Sequence, residues 1–398
     1  MRTPLPPAIV YERGVRLLEN PVQPYAWGSL TAIAGLLGRP PSSTPQAELW
    51  LGAHPSAPST VMGPAGLEPL SRYILYSPVT ALGGDVLARF GPNLPFLLKV
   101  LAAAHPLSLQ AHPSLQQAQE GFSREEALGV PRSAPHRNYR DSNHKPELLC
   151  ALSEFHALCG FRCTEDSVAL LEGLGLDSSR IQETGLRGYF EWVMTRPAEE
   201  RAELARKAVD ACRTRPPPRF ARECAWAAKL GAQYPGDVGV MGALLLNLVT
   251  LKPGQALYLP AGRMHAYLEG VAMEIMASSD NVLRGGLTPK HIDVPELLRV
   301  LDFRDGPVEL VEPQGDIAVY QTPAPDFELT RLRLKGPEVS LGRRGPDILL
   351  VVEGSVQVSS GAERHELNRG SSVFVDAAEG DSLVLSGEGV VFRATVGR

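Results

Sequence analysis

Toward the carboxyl end, apolar runs at 348–352, 355–358, 371–375, 382–385 and 390–395 are separated by turns holding Gly354, Gly361, Gly370, Gly380 and Gly387. Runs this short read as strands, and their regular spacing confines the segment to a jelly roll or sandwich. Residues 1–105 have a similar texture of short apolar runs between Pro and Gly turns. From 162 to 232 the period changes. Ala198, Ala202, Ala205, Val209 and Cys212 recur at helical spacing, with Pro197 at the start and Pro216-Pro217-Pro218 as the stop. A second helix is expected over 220–230, closed by Gly231. Ser114 with Gln117, and again Ser123 with Glu126, carry the signature of a helix start. The chain is therefore expected to be mainly β, with a helical block inserted between strand-rich segments.

The 398 residues are 44% hydrophobic and 21% charged, ample for a globular core. A net charge of −5 gives no electrostatic reason to expect nucleic acid or an anionic membrane. No apolar run approaches the roughly 20 residues of a membrane helix, and the first residues lack a signal-peptide core. A cytoplasmic chain is expected. The five cysteines include no CxxC pair, which argues against a disulfide framework or a thiolate zinc site; Cys150 and Cys159 read as core filler.

In Leu107-Ser108-Leu109-Gln110-Ala111-His112-Pro113, apolar and polar residues alternate, so Gln110 and His112 point to one side of a strand. An amide oxygen and an imidazole there look like half of a metal site. Glu147 and His265 are the candidates to complete it, each at a strand end beside a Pro or Gly turn. Two imidazoles, a carboxylate and an amide form a nitrogen and oxygen set suited to zinc, with manganese or cobalt as alternatives. Trp27 and Trp50 are read as core packing or as walls of a sugar cleft.

Leu107 to Pro113, Asn143-His144-Lys145-Pro146-Glu147, the stretch 259–267 and the loop 279–290 together resemble the type I mannose-6-phosphate isomerases (phosphomannose isomerases). Tyr25-Ala26-Trp27-Gly28 and 47–55 are similar to that family's amino-terminal motifs, and the likeness runs from about 15 to 300. It implies two cupin/jelly-roll β-barrel domains with an inserted α-helical domain. On that reading 1–161 and 233–305 form the catalytic domain, 162–232 the insertion, and 306–398 a structural cupin-like domain. The resemblance implies an enzyme interconverting mannose 6-phosphate and fructose 6-phosphate. It further implies one Zn2+ per chain on Gln110, His112, Glu147 and His265, with Arg284 as the active-site arginine. Ser114 and Leu115 depart from the family's usual residues, but they open a helix.

Moving a carbonyl between C1 and C2 passes through an enediolate, whose charge a metal or a fixed guanidinium such as Arg284 can hold. Lys145 and Glu274 are the favoured proton-handling groups, with His144 and Asp280 nearby in sequence. Ser108, Lys99 and Lys290 are candidates to contact sugar or phosphate. The expected partner is a small sugar phosphate, with no nucleic acid and no membrane, and the chain is expected to be a monomer. The competing classes are a non-catalytic sugar-phosphate-binding cupin and an Fe(II) cupin oxygenase.

Overall fold

The structure, a computed structural model, describes residues 14–63, 66–360, 363–377 and 382–398. The turns read at Gly361 and Gly380, and the leader reading of the first residues, lie outside them. The strand His265–Ala277 is the spine of a ten-stranded sheet. One part of it pairs with Phe96–Ala103 and Glu147–Ala151, the other with Phe155–Phe161 and, at His265, with Leu109–Ala111.

Side-chain alternation divides this sheet into two working faces. Leu98, Val100, Leu148, Cys150, Met273 and Ile275 all join a core shared with Ile348, Leu350, Phe374 and Phe392 of the second sheet. Residues adjoining them in sequence, among them Lys99, Glu147 and Glu274, are turned to the opposite face. Each of these three is buried. A strand such as Phe96–Ala103, buried along its whole length, can hold a lysine only where carboxylates meet it.

The second sheet has nine strands and is built on Glu328–Leu341, Asp347–Ser360 and Leu383–Thr395. It draws on both ends of the chain: Val15–Glu19 pairs with Ser372–Val375 on one side and Thr60–Gly63 on the other. Here the sequence reading needs correction. The runs at 348–352 and 355–358 are one strand, and so are those at 382–385 and 390–395. Gly354 and Gly387 do not reverse the chain. Their positive φ of 75° and 107° carries it through irregularities in a continuous ladder. A Cβ on Gly354 would stand 2.0 Å from the Glu388 carbonyl.

The mainly β architecture with an inserted helical block is as expected. Among the described residues neither sheet closes on itself, so the barrels take the form of open, packed sheets. The helices Thr164–Gly173, Ser179–Thr195, Ala198–Thr214, Ala221–Gln233 and Gly239–Leu245 form the block. Their core is continuous with Leu109, Ala111, Met264 and Ala266, which braces the strands carrying the candidate ligands. Gly231 does not end its helix but lies inside it, because a Cβ there would stand 2.2 Å from Val209 of the neighbouring helix. Ser114 and Gln117 do form a capping box. The helix they open runs unbroken from Leu115 to Ala127, so Ser123 is interior and starts nothing. All five cysteines are free, with Cys150 and Cys159 buried. Among the described residues no helix is long and apolar enough to cross a membrane.

Candidate metal centre

Strand register assembles the site. Gln110 is registered against His265 on one side and Arg284, in Leu283–Gly286, on the other. Directly opposed residues in a sheet share a face, so Gln110, His265 and Arg284 form one row. His112 follows Gln110 by two residues on the same side. Glu147 opens its strand opposite Met276, two residues beyond Glu274.

The ligating atoms of His112, Glu147 and His265 all lie within 4.8 Å of one another, and all three residues are buried. Glu147 Oε1 is 3.2 Å from His112 Nε2, and Oε2 is 3.4 Å from His265 Nε2. On the far side of each ring, Nδ1 meets a backbone carbonyl: Asn281 at 2.7 Å for His112, Arg263 at 2.9 Å for His265. A carbonyl can only accept, so each Nδ1 carries the proton and each Nε2 presents its lone pair inward. Two lone pairs therefore face a carboxylate, and neither Nε2 has an aligned hydrogen-bond partner. A divalent cation between them removes that conflict. The donor set is one that zinc accepts.

Burial alone would raise the Glu147 carboxyl, but Lys145 and then His112 outweigh it and hold it well below the usual range. The Lys145 ammonium is 3.0 Å from Glu147 Oε1. Burial, followed by Lys145, pushes His112 down to about 4, which keeps the ring neutral and available to a metal. Tyr267 donates to Glu147 Oε2 at 3.1 Å, and burial beside that carboxylate pushes its hydroxyl well above the ordinary tyrosine value.

Trp50, Lys99 and Glu274 form a second row across three strands. The Lys99 ammonium is 3.0 Å from Glu274 and 3.7 Å from Glu48, and Glu48 also accepts from the Trp50 indole at 2.7 Å. Burial would lower Lys99, yet the two carboxylates raise it above the usual lysine range. Glu274 is pushed up by burial against the pull of Lys99.

Residues 15–164 match the family described as phosphomannose isomerase type I, catalytic domain. The chain is 38% identical to the mannose-6-phosphate isomerase of Escherichia coli, over 94% of this chain and 98% of that one. The chain belongs to the type I phosphomannose isomerase family. The human mannose-6-phosphate isomerase is 33% identical over 94% of this chain and 96% of its own. A crystal structure of a zinc-bound mannose 6-phosphate isomerase superposes with a TM-score of 0.88, at 38% identity over 96% of this chain and all of that one. A variant of the Salmonella typhimurium phosphomannose isomerase gives 0.89 at 37% identity, again over 96% of this chain and all of the other.

The phosphomannose isomerase fold leaves the remaining candidates in distinct settings. Arg284 is half-buried and pairs with no carboxylate among the described residues; burial and then the like charge of Arg140 lower it. Lys290 is lowered by partial burial and by Arg284 and Arg140. Ser108 is half-buried beside the metal strand, with no hydrogen-bond partner among the described residues. The Lys99 ammonium, expected to contact sugar or phosphate, is buried and meets Glu274 and Glu48. Glu274, the expected proton-handling partner, is buried in that ion pair. A cleft of about 670 Å³ is lined by His54, Arg140, Asp141, Asn143 and Asp280 among others. Sequence reasoning missed Glu48 and Tyr267. Glu48 opens a strand in which every residue is buried, a setting that demands a cationic partner, and Tyr267 follows a proposed ligand by two residues.

Proposed function

We propose that this chain interconverts mannose 6-phosphate and fructose 6-phosphate by moving a proton between C1 and C2 through an enediolate. The observation that carries the reading is the pair of inward Nε2 lone pairs of His112 and His265 around Glu147, with Arg284, unpaired among the described residues, one strand away. Gln110, His112, Glu147 and His265 would hold zinc. A zinc ion held there supplies Lewis acidity toward the sugar's carbonyl and hydroxyl oxygens.

The chain's own residues do the rest. Lys145, 3.0 Å from a ligand carboxylate and largely buried, is placed to take or return the proton at the carbon. The Arg284 guanidinium is always charged, and its planar fork suits both enediolate oxygen and phosphate. Arg284, Arg140 and Lys290 raise the local positive potential together, which favours the phosphate dianion. Ser108, two residues before Gln110, is available to hydrogen-bond the sugar. Trp50 and Glu48 hold Lys99 and Glu274 as a rigid floor beside the ligands.

The reading is tested by following mannose 6-phosphate conversion before chelation, after it, and after zinc is returned. Turnover should vanish with the metal and return with it. Fructose 6-phosphate formation at an undiminished rate in the chelated, zinc-free chain contradicts the role given to the centre.

A further inference from the structure

In Asn143-His144-Lys145-Pro146-Glu147, Lys145 turns to Glu147 at the metal side and His144 turns away from it. What His144 meets there belongs to the other half of the molecule. Its Nε2 lies 2.9 Å from Oδ2 of Asp326. Asp326 sits between Ile317–Tyr320 and Glu328–Leu341 of the second sheet, and its side chain is only 4% exposed.

A carboxylate that deeply buried is costly unless it is paired, and His144 is its hydrogen-bonding partner among the described residues. The platform beneath it is fixed. Arg89 donates to the carbonyls of Pro325 and Gly397, and a Cβ on Gly397 would stand 2.4 Å from the Ala324 carbonyl. Asp326 also stands close to Tyr258, in the strand paired with Glu147–Ala151: burial and then Asp326 push that hydroxyl up to about 12. The same carboxylate thus faces both the approach to Glu147 and the strand beside it.

We propose that Asp326 is a positioning residue for the isomerisation: acting through His144, it fixes the backbone that holds Lys145 beside Glu147. The inference rests on the proposed role of Lys145 at the metal centre. It gives the second sheet a part in the chemistry although none of its side chains is among the proposed ligands. Bonds to Asn143 and Pro146 hold the two ends of this segment, and the His144–Asp326 bond fixes the stretch between them beside Lys145; displacement of about 1 Å near reacting atoms can cost about a hundredfold in rate.

The test compares zinc-loaded wild type, Asp326→Ala, Asp326→Asn, His144→Ala and the double variant Asp326→Ala/His144→Ala. Each is measured for kcat and KM with mannose 6-phosphate and for zinc per chain. Asp326→Ala should lower kcat at least tenfold, with KM within threefold and zinc at one per chain. Asp326→Asn still accepts from Nε2 and should recover kcat to within threefold of wild type. The double variant should be no slower than His144→Ala, because both changes remove one link. Asp326→Ser, too short to reach the ring, carries the same expectation as alanine if the alanine variant does not fold. Wild-type kcat per zinc in Asp326→Ala, or losses that multiply in the double variant, overturns the proposal. A zinc-loaded wild type with no isomerase activity overturns the reading of the site instead.

Discussion

The Nε2 atom of His112 faces Oε1 of Glu147 at 3.2 Å with its lone pair inward, because the ring's proton is given to the carbonyl of Asn281 on the other side. Asn281 is itself held by the loop that leads to Glu147. Its amide donates to the carbonyls of Asp141 and Asn143, and its Oδ1 accepts from the Arg140 backbone. The tautomer of one ligand is therefore set by the loop that carries the approach to another. This mutual orientation is what a metal centre requires of its surroundings.

His265→Ala removes one of the two inward nitrogens. Zinc and turnover should be lost together, with metal affinity falling by orders of magnitude. Zinc per chain measured after dialysis checks this, and full occupancy in the variant removes His265 from the ligand set.

Arg284→Ala should leave zinc bound and lower kcat by about a hundredfold to a thousandfold, the loss typical of removing one fixed donor to developing oxyanion charge. The comparison is kcat per bound zinc. An unchanged rate removes Arg284 from the mechanism.

Lys99→Met leaves Glu48 and Glu274 buried without their cation. Breaking a buried pair on one side costs about 3–5 kcal/mol, so denaturant midpoints should fall accordingly. Zinc content should persist, since Lys99 touches no proposed ligand. A variant as stable as wild type contradicts the ion-pair role.

The metal-free chain should lose stability as the medium turns acid. His112 is depressed to about 4, below the ordinary histidine value of about 6.5, so the unfolded chain binds the proton more readily over that interval. Stability is then present above about pH 6.5 and lost as pH falls toward 4, by about 3 kcal/mol from this group. Glu147, held below its usual range, acts in the same direction from about pH 4.5 downward. Melting curves of chelated protein between pH 7 and 4 check the sign. A midpoint that rises on acidification contradicts it.

Part of the candidate site is legible in sequence: period-2 alternation puts Gln110 and His112 on one face, whereas joining them to Glu147 and His265, far away in the chain, rests on the resemblance to the type I family. Gln110 and His112 follow from five residues of pattern. The row of Trp50, Lys99 and Glu274 does not, since it depends on register between strands far apart in the chain. Lys99 illustrates the gap: its strand shows that it is buried, but not which carboxylates meet it. Gly231, Gly354 and Gly387 illustrate another. Each reads locally as a stop, and each is instead required by a close approach or a positive φ within a continuing element. Ser123 and Glu126 have the spacing of a helix start, yet the helix opened by Ser114 already runs through them. The link from His144 to Asp326 joins two sheets 182 residues apart in sequence, and nothing local announces it.

One ion held by scattered side chains is central to the proposed chemistry, and anomalous diffraction at the zinc edge from crystals of the zinc-loaded chain tests it most directly. A single peak should lie about 2.0–2.2 Å from His112 Nε2, His265 Nε2 and a Glu147 oxygen, with Gln110 on the same side. A peak elsewhere, or none in an active enzyme, contradicts the assignment.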